Sequence, residues 1–164
     1  MSAIAYVAGG CFWGVEHYLA ELDGVLGATS GFMGGSLTDP SYEDVVRGDT
    51  GHAETVAVEY DPERVSYEAV LKRFFEIHDP TQLNHQGPDI GVQYRSAVFY
   101  GSEEERETAQ QLIDKLVELG YDVVTTLEPA AKFYPAEEYH QEYYKKTGKT
   151  PYCHVPVDRF SSPA

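Results

Sequence analysis

The residues Gly10-Cys11-Phe12-Trp13-Gly14 decide how the N-terminal part of the chain folds. They join an apolar run, residues 3–8, to an amphipathic run, residues 15–22. An apolar run, a glycine turn and a run of helical periodicity predict a strand, a tight turn and an α-helix. Cys11 is therefore expected at the first turn of that helix.

The position of Cys11 predicts a reactive thiol. Unpaired backbone N–H groups and the positive end of the helix dipole meet at a helix N-terminus, and both favour thiolate over thiol. Trp13, the only tryptophan of the chain, follows two residues later and offers a large apolar surface. A nucleophile beside an apolar substrate pocket is one interpretation. A buried structural cysteine is the other, and the local pattern leaves both open.

Composition restricts the class of protein. The 164 residues predict one domain with a hydrophobic core, and 42% apolar with 24% charged residues is ordinary for a globular protein. The net charge of −15 argues against nucleic acid and anionic membranes as partners, since both require basic patches. Solubility is the simpler explanation of this charge. No apolar run approaches the ~20 residues of a membrane span. No signal-peptide pattern is present, so we expect a cytoplasmic location, where thiols are kept reduced.

The periodicity of the remaining chain predicts alternating strands and helices. Strands are expected at residues 4–8, 25–32, 54–60, 96–100 and 123–127, and helices at residues 12–22, 66–78 and 103–119. Two long polar loops, residues 34–55 and 81–93, lie between them, and one short helix is expected within residues 136–145. This order predicts an α+β fold of two layers, with helices against a mixed or antiparallel sheet. We expect the two loops to meet the Cys11 turn at one end of the layers.

Four polar residues are candidates for acid–base chemistry. Glu54 stands where a loop enters a strand, and burial there would raise its pKa and make it a proton donor near neutral pH. A solvated glutamate at a strand end is the commoner case. Asp89 lies between glycine turns that would aim it into a site, or it is an Asx-turn residue. Tyr42 and Tyr94 offer hydroxyl donors, with packing at a pocket rim as the alternative.

The histidines and cysteines form no recognisable metal or cofactor motif. The six histidines and two cysteines lack metal-ligand spacing, and no glycine pattern for phosphate or dinucleotide binding is present. We therefore expect neither a metal nor a cofactor. Cys11 and Cys153 lie at opposite ends of the chain. They are either two unrelated thiols, which the cysteine count alone favours, or partners in a transient catalytic disulfide.

The chain contains four motifs of distinctive sequence: Gly10-Cys11-Phe12-Trp13-Gly14, Gly48-Asp49-Thr50-Gly51-His52-Ala53-Glu54, Asp89-Ile90-Gly91-Val92-Gln93-Tyr94-Arg95-Ser96 and Phe133-Tyr134-Pro135-Ala136-Glu137-Glu138-Tyr139-His140-Gln141. Taken together, they resemble the motifs of the A-type peptide methionine sulfoxide reductases. They follow one another in the family's order over nearly the whole chain. The resemblance implies a two-layer α/β sandwich with a ferredoxin-like core. It also implies a long irregular C-terminal tail, about residues 130–164, that carries Cys153.

The resemblance implies an enzyme that reduces the S epimer of methionine sulfoxide, free or in proteins, and so repairs oxidised proteins. Cys11 matches the family's nucleophile, which attacks the sulfoxide sulfur as thiolate. Glu54 matches the acid that protonates the oxygen. Tyr42 and Tyr94 match hydroxyl donors to the same oxygen. Asp89 matches a further site residue, which positions substrate or orients water.

The resemblance also implies how substrate is selected and how the enzyme is recycled. Phe12 and Trp13 would form the pocket for the methyl group on sulfur, and this packing would select the S epimer. The sulfenic acid formed on Cys11 would condense with Cys153, and thioredoxin would reduce the disulfide. No second protomer is implied, so a monomer is expected.

Two features depart from the family pattern. Some members carry two tail cysteines and relay the disulfide outward, whereas this chain has Cys153 alone. Many members have an aromatic-Thr-Gly-Gly turn where this chain has Phe32-Met33-Gly34-Gly35. No B-type reductase domain is fused, so the R epimer is not expected as a substrate.

Two other hypotheses remain open. One is a redox sensor or aromatic peptide-binding module with a reactive Cys11. The other is a thiol peroxidase, although the Pro/Thr-flanked cysteine that is usual in such enzymes is absent.

Overall fold

The computed structural model describes residues 2–149, 151 and 154–161. Its strands are β1 (Ala3–Gly9), β2 (Val25–Met33), β3 (Ala53–Tyr60), β4 (His85–Gln86), β5 (Asp89–Ile90), β6 (Ser96–Tyr100), β7 (Thr126–Pro129) and β8 (Tyr134–Pro135). Its α-helices are α1 (Phe12–Ala20), α2 (Tyr42–Val46), α3 (Tyr67–Ile77), α4 (Glu103–Glu118) and α5 (Tyr143–Thr147), and two 3₁₀ helices span Val92–Tyr94 and Glu138–His140. Within these described residues, no helix is long and apolar enough to cross a membrane.

Six strands form one mixed sheet in the order β7-β6-β1-β3-β2-β8, and β4 pairs with β5 in a separate hairpin. Neighbours in the sheet are antiparallel except β6 and β7, which are parallel. Strand β1 therefore lies in the middle of the sheet, and the turn that carries Cys11 follows directly from its end. The mixed α+β class expected from the sequence is confirmed.

Two apolar clusters lie on opposite faces of the sheet. Helices α1, α3 and α4 pack on one face, where Ala5 and Val7 of β1 contribute to the core. On the other face, Ala8 of β1 and Phe99 of β6 pack together, and Phe133 of the tail lies against them. Side chains of a strand alternate between the two faces of the sheet, so the single strand β1 contributes apolar side chains to both clusters.

Two helices begin where the sequence signals predict. The hydroxyl of Ser66 accepts the N–H of Ala69 at 3.0 Å and caps α3. The hydroxyl of Ser102 accepts the N–H of Glu105 at 3.2 Å and caps α4. Each cap satisfies an N–H group that has no partner within its own helix.

The C-terminal part of the chain differs from the expected elements in three places. The strand expected at residues 123–127 forms later, as β7, where it pairs parallel to β6. The tail was expected to be irregular, yet β8 extends the sheet by pairing with β2. The short helix expected within residues 136–145 is divided into a 3₁₀ helix and α5, because Glu142 between them has a φ of 52°. These elements are set by pairing and contacts distant in sequence, which local periodicity does not report.

Both long loops contain short ordered elements that the sequence did not reveal. The first loop holds α2, and the second holds the β4–β5 hairpin and the 3₁₀ helix Val92–Tyr94. These elements span only two to five residues each, which is too short for a helical or strand period to be detected. They matter because they carry three of the predicted site residues.

Candidate active site

Cys11 stands between β1 and α1, at the N-cap position of the helix. The preceding Gly10 has a φ of 94°, and a side chain there would run into Gln86, so the turn requires glycine. Cys11 itself is buried, at 5% exposed. The first N–H groups of α1 and the positive end of its dipole therefore lie beside a buried thiol, as the sequence predicts.

Glu54 lies near the start of β3, opposite Phe32 of β2, and is only 1% exposed. Its Oε1 accepts the backbone N–H of Phe12 at 3.1 Å. Its Oε2 is buried and has no hydrogen-bond partner among the described residues. Burial raises the pKa of Glu54 to about 8; the Phe12 N–H acts to lower it and the charge of Asp89 to raise it. The carboxyl is therefore mostly protonated at neutral pH, and the alternative of a solvated strand-end glutamate is wrong.

Tyr42 and Tyr94 come from the two long loops and face the same groups. Burial raises the pKa of both hydroxyls, and the charges of Glu54, Asp89 and Cys11 raise it further. Both tyrosines therefore remain protonated at neutral pH and can donate hydrogen bonds. The structure thus brings together the five predicted site residues Cys11, Glu54, Tyr42, Tyr94 and Asp89. They lie at the Cys11 turn, where the two loops meet as expected.

Contacts within and beyond the first long loop hold Tyr42. His52 closes this loop, since its Nδ1 accepts one backbone N–H at 3.0 Å and its Nε2 donates to a backbone carbonyl at 2.8 Å. At the start of α2, Ser41 and Asp44 form a capping box, with bonds of 3.1 and 2.9 Å. The backbone N–H of Tyr42 donates to Glu137 of the tail at 3.3 Å. The ring is therefore positioned by both the loop and the tail.

An aromatic wall lies at this site and consists of Phe12, Trp13, Tyr42, His140 and Tyr143. Trp13 stacks on Tyr143, with centroids 3.8 Å apart and planes 6° from parallel, and on Tyr42 at 6.2 Å. The indole Nε1–H of Trp13 donates to His140 Nδ1 at 3.0 Å. The ring of Phe12 is buried and lies 5.5 Å from that of His140. Such a wall suits a methyl or methylene group of a substrate.

His140 and Tyr143 were not predicted to belong to this wall. His140 is 1% exposed, and burial lowers its pKa, so the ring is neutral. Because Nδ1 accepts the indole proton, Nε2 carries the ring's own proton, and it has no partner among the described residues. The motif Tyr139-His140-Gln141 was the available signal. Its contact with Trp13 spans 127 positions, which no local pattern reports.

Cys153 lies outside the described residues. The next residue, His154, is 1% exposed, and its Nε2–H donates to the carbonyl of Gly9 at 2.7 Å. Its ring also packs against Gly14, where any side chain would overlap with it. The tail is therefore attached at His154 to the turn that carries Cys11.

This arrangement is that of a thiol-dependent oxidoreductase, because the thiol can supply electrons while the carboxyl and hydroxyls can supply protons. The family described as peptide methionine sulfoxide reductase matches residues 3–163. The chain belongs to this family, and it is an enzyme of the A type, as the resemblance of its motifs indicates.

Named relatives agree with this assignment. Peptide methionine sulfoxide reductase MsrA of Natronomonas pharaonis is 50% identical over 158 residues, which cover 94% of this chain and 89% of the relative. The crystal structure of Mxr1 from Saccharomyces cerevisiae in reduced form is similar with a TM-score of 0.88 at 36% identity, covering 94% of this chain and 92% of Mxr1. The structure of Mxr1 in complex with Trx2 is similar with a TM-score of 0.63 at 23% identity, covering 94% and 89%, which shows the fold alone.

Proposed function

We propose that this enzyme reduces the S epimer of methionine sulfoxide, free or within oxidised proteins, with Cys11 as nucleophile and Glu54 as general acid. The thiolate sulfur of Cys11 attacks the sulfoxide sulfur while the oxygen takes a proton. The protonated oxygen then passes to the Cys11 sulfur as its bond to the substrate sulfur breaks, so methionine leaves as the thioether and Cys11 is left as a sulfenic acid. Cys11 has lost two electrons and the substrate has gained them.

The observation that carries this proposal is the state of Glu54. A sulfoxide is a poor electrophile until its oxygen is protonated, so the reaction needs an acid that still holds its proton at neutral pH. The buried carboxyl has a pKa of about 8, and its Oε2 has no partner among the described residues. A neutral carboxyl also spares the Cys11 thiolate a negative neighbour.

The other predicted residues have supporting roles in this proposal. Tyr42 and Tyr94 donate hydrogen bonds to the sulfoxide oxygen, and Asp89 positions substrate or orients water. Phe12 and Trp13 receive the methyl group on sulfur. With the methyl against the aromatic wall and the oxygen facing its donors, only one configuration at sulfur lets the rest of the methionine side chain leave the pocket while the sulfur faces Cys11. This geometry is the proposed basis for the S epimer.

Recycling is proposed to use Cys153. Its thiol condenses with the sulfenic acid, forming the Cys11–Cys153 disulfide and releasing water, and thioredoxin then reduces this disulfide by exchange. Mxr1, whose reduced form is 36% identical to this chain, forms a complex with Trx2, and this supports thioredoxin as the reductant. The attachment of His154 at the Cys11 turn supports Cys153 as the second thiol.

The proposal extends to the organisation of the chain. We infer a single domain, residues 1–164, that acts as a monomer in the cytoplasm. The strands β1, β2, β3 and β6, with α1 and α3 between them, support the assignment of a ferredoxin-like core in a two-layer sandwich.

A coupled assay tests the proposal. Purified protein, thioredoxin, thioredoxin reductase and NADPH are given each epimer of methionine sulfoxide separately. We expect turnover with the S epimer, no turnover in Cys11→Ser, and a single round in Cys153→Ser. Absence of turnover with both epimers would overturn the proposal in favour of a redox sensor. Rapid consumption of peroxide by Cys11 would favour a thiol peroxidase instead.

A further inference from the structure

Glu16 is a buried carboxyl of α1 that the proposed reaction does not use. It lies one helical turn after Phe12 and is 3% exposed. Its Oε2 accepts the backbone N–H of Glu142, in the tail, at 2.6 Å, and Ser30 of β2 lies beside the carboxyl. A glutamate is rarely buried in a protein core unless its carboxyl group is hydrogen-bonded or paired.

The contact with Glu16 is one of two that attach the tail at this point. The side-chain amide of Gln141 accepts a hydrogen bond from the Ser30 N–H at 2.8 Å and donates one to the Ser30 carbonyl at 2.9 Å. These two bonds attach Gln141 to β2. The next residue, Glu142, has the left-handed backbone conformation, with φ 52° and ψ 40°. A residue other than glycine holds this conformation only where its surroundings require it. The bond to Glu16 supplies such a requirement.

The residues on either side of this attachment hold Trp13. His140, just before it, accepts the indole N–H at 3.0 Å. Tyr143, just after it, stacks on the indole at 3.8 Å. The indole is thus fixed by a hydrogen bond and by stacking, and both partners belong to the segment that Gln141 and Glu142 attach.

We propose that Glu16 is a positioning residue of the methionine pocket, acting through the backbone of Glu142 on the two rings that orient Trp13. The inference rests on the proposed function, in which Trp13 receives the methyl group on sulfur. The carboxyl oxygen that accepts the Glu142 N–H is the essential part, and the charge of Glu16 is not required. A carboxamide oxygen can therefore replace it.

Trp13 is the only tryptophan, so intrinsic fluorescence reports on its orientation without substrate. Glu16→Leu removes the acceptor while keeping an apolar volume, and Glu16→Gln keeps an acceptor. Glu21→Leu is the matched control, since Glu21 closes the same helix but is exposed. We expect a red-shifted emission and a higher acrylamide quenching constant in Glu16→Leu. We expect wild-type values in Glu16→Gln and Glu21→Leu.

The same variants are then assayed with the S epimer. In Glu16→Leu we expect KM to rise about tenfold, the factor of one lost buried hydrogen bond, with a smaller change in kcat. The preference for the S over the R epimer is also expected to fall. The rate of Cys11 alkylation by iodoacetamide should not change, because the helix N-terminus is untouched.

Circular dichroism and thermal melting establish that each variant is folded. If Glu16→Leu does not fold, Gln141→Ala is used in its place to test the inference. This substitution removes the hydrogen bonds to Ser30 that attach the same tail segment, and we expect it to shift fluorescence and KM in the same direction. Wild-type fluorescence and KM in a folded Glu16→Leu, or in Gln141→Ala where it decides, would overturn the inference. So would a Glu16→Gln variant that behaves like Glu16→Leu. If wild type reduces neither epimer, the proposed function fails, while the fluorescence comparison still tests the role of Glu16.

Discussion

Glu54 and Glu16 make the same kind of contact in two different regions of the molecule. They are 1% and 3% exposed, and each accepts one backbone N–H, from Phe12 at 3.1 Å and from Glu142 at 2.6 Å. The second oxygen of Glu54 has no hydrogen-bond partner among the described residues, whereas Ser30 lies beside the carboxyl of Glu16. Burial raises the pKa of the first to about 8 and of the second to about 7.

A partly exposed carboxylate shows which factor sets these pKa values. Asp44 also accepts a backbone N–H, from Ser41 at 2.9 Å, and this bond lowers its pKa because the side chain, 29% exposed, keeps contact with water. A hydrogen bond from the backbone therefore favours the charged form, and burial reverses the result. The residues around each carboxyl group then determine its role. Glu54 faces Cys11 and the tyrosines, whereas Glu16 faces the tail.

The largest expected effect separates the two carboxyls by function. Glu54→Gln cannot protonate the sulfoxide, so kcat/KM for the S epimer should fall by about 10²–10⁴, the usual contribution of a general acid. Alkylation of Cys11 by iodoacetamide should continue, since the thiol remains at the helix N-terminus. Glu59→Gln, on the exposed face of the same strand, is the control. Wild-type reduction by Glu54→Gln would sink the mechanism, and an equal loss in Glu16→Gln would erase the difference between the two residues.

The second prediction concerns the pH dependence of stability, where the two carboxyls should act in the same direction and Glu54 should have the larger effect. The folded pKa of Glu54 lies above its ordinary value of 4.5, so the folded state binds this proton more tightly than the unfolded state. The resulting stabilisation is complete below pH 4.5 and is lost as pH rises to about 8. Between pH 5 and pH 8, wild type should lose about 3 to 4 kcal/mol relative to Glu54→Gln, because the slope of about 1.4 kcal/mol per pH unit weakens close to each pKa. Urea unfolding of both proteins at each pH measures this difference, and parallel pH profiles would contradict it.

The third and smallest effect lies in the pH dependence of the rate. Above pH 8, kcat/KM should fall about tenfold per pH unit, because Glu54 loses its proton. Glu16→Gln should leave the position of this alkaline limb unchanged, since Glu16 lies in the other region. Steady-state rates from pH 6 to pH 10 test both statements. A limb that moved in Glu16→Gln would mean that the two carboxyls titrate as one system.

Local signals were sufficient for the elements that surround the thiol. The strand, glycine turn and helix around Cys11 form as their apolar periods and Gly10 predict, and Ser66 caps α3. Each of these depends on contacts within a few residues. By contrast, β8 exists only because Tyr134 pairs with Phe32, and no pattern around residue 134 indicates that partner.

The candidate site divides along the same line. Cys11, Glu54, Tyr42, Tyr94 and Asp89 were predicted as individual candidates from their local sequence, and only the family resemblance predicted that they act together on a sulfoxide. The structure shows that Glu54 is buried against Phe12, which the sequence left as the less common of two cases. His140, Tyr143 and Glu16 were not predicted, because their contacts with Trp13 and the tail join opposite ends of the chain.

The sequence by itself determined the α+β class, the position of Cys11 at the N-terminus of α1 and, through its motifs, the family. The first two follow from short-range rules of periodicity and capping. The family follows from four motifs that occur in the family's order along the chain. Only the tertiary structure decided the protonation of Glu54 and the attachment of the tail to Glu16. Both depend on how completely a carboxyl is removed from water, and burial is a property of the whole packed molecule rather than of any segment.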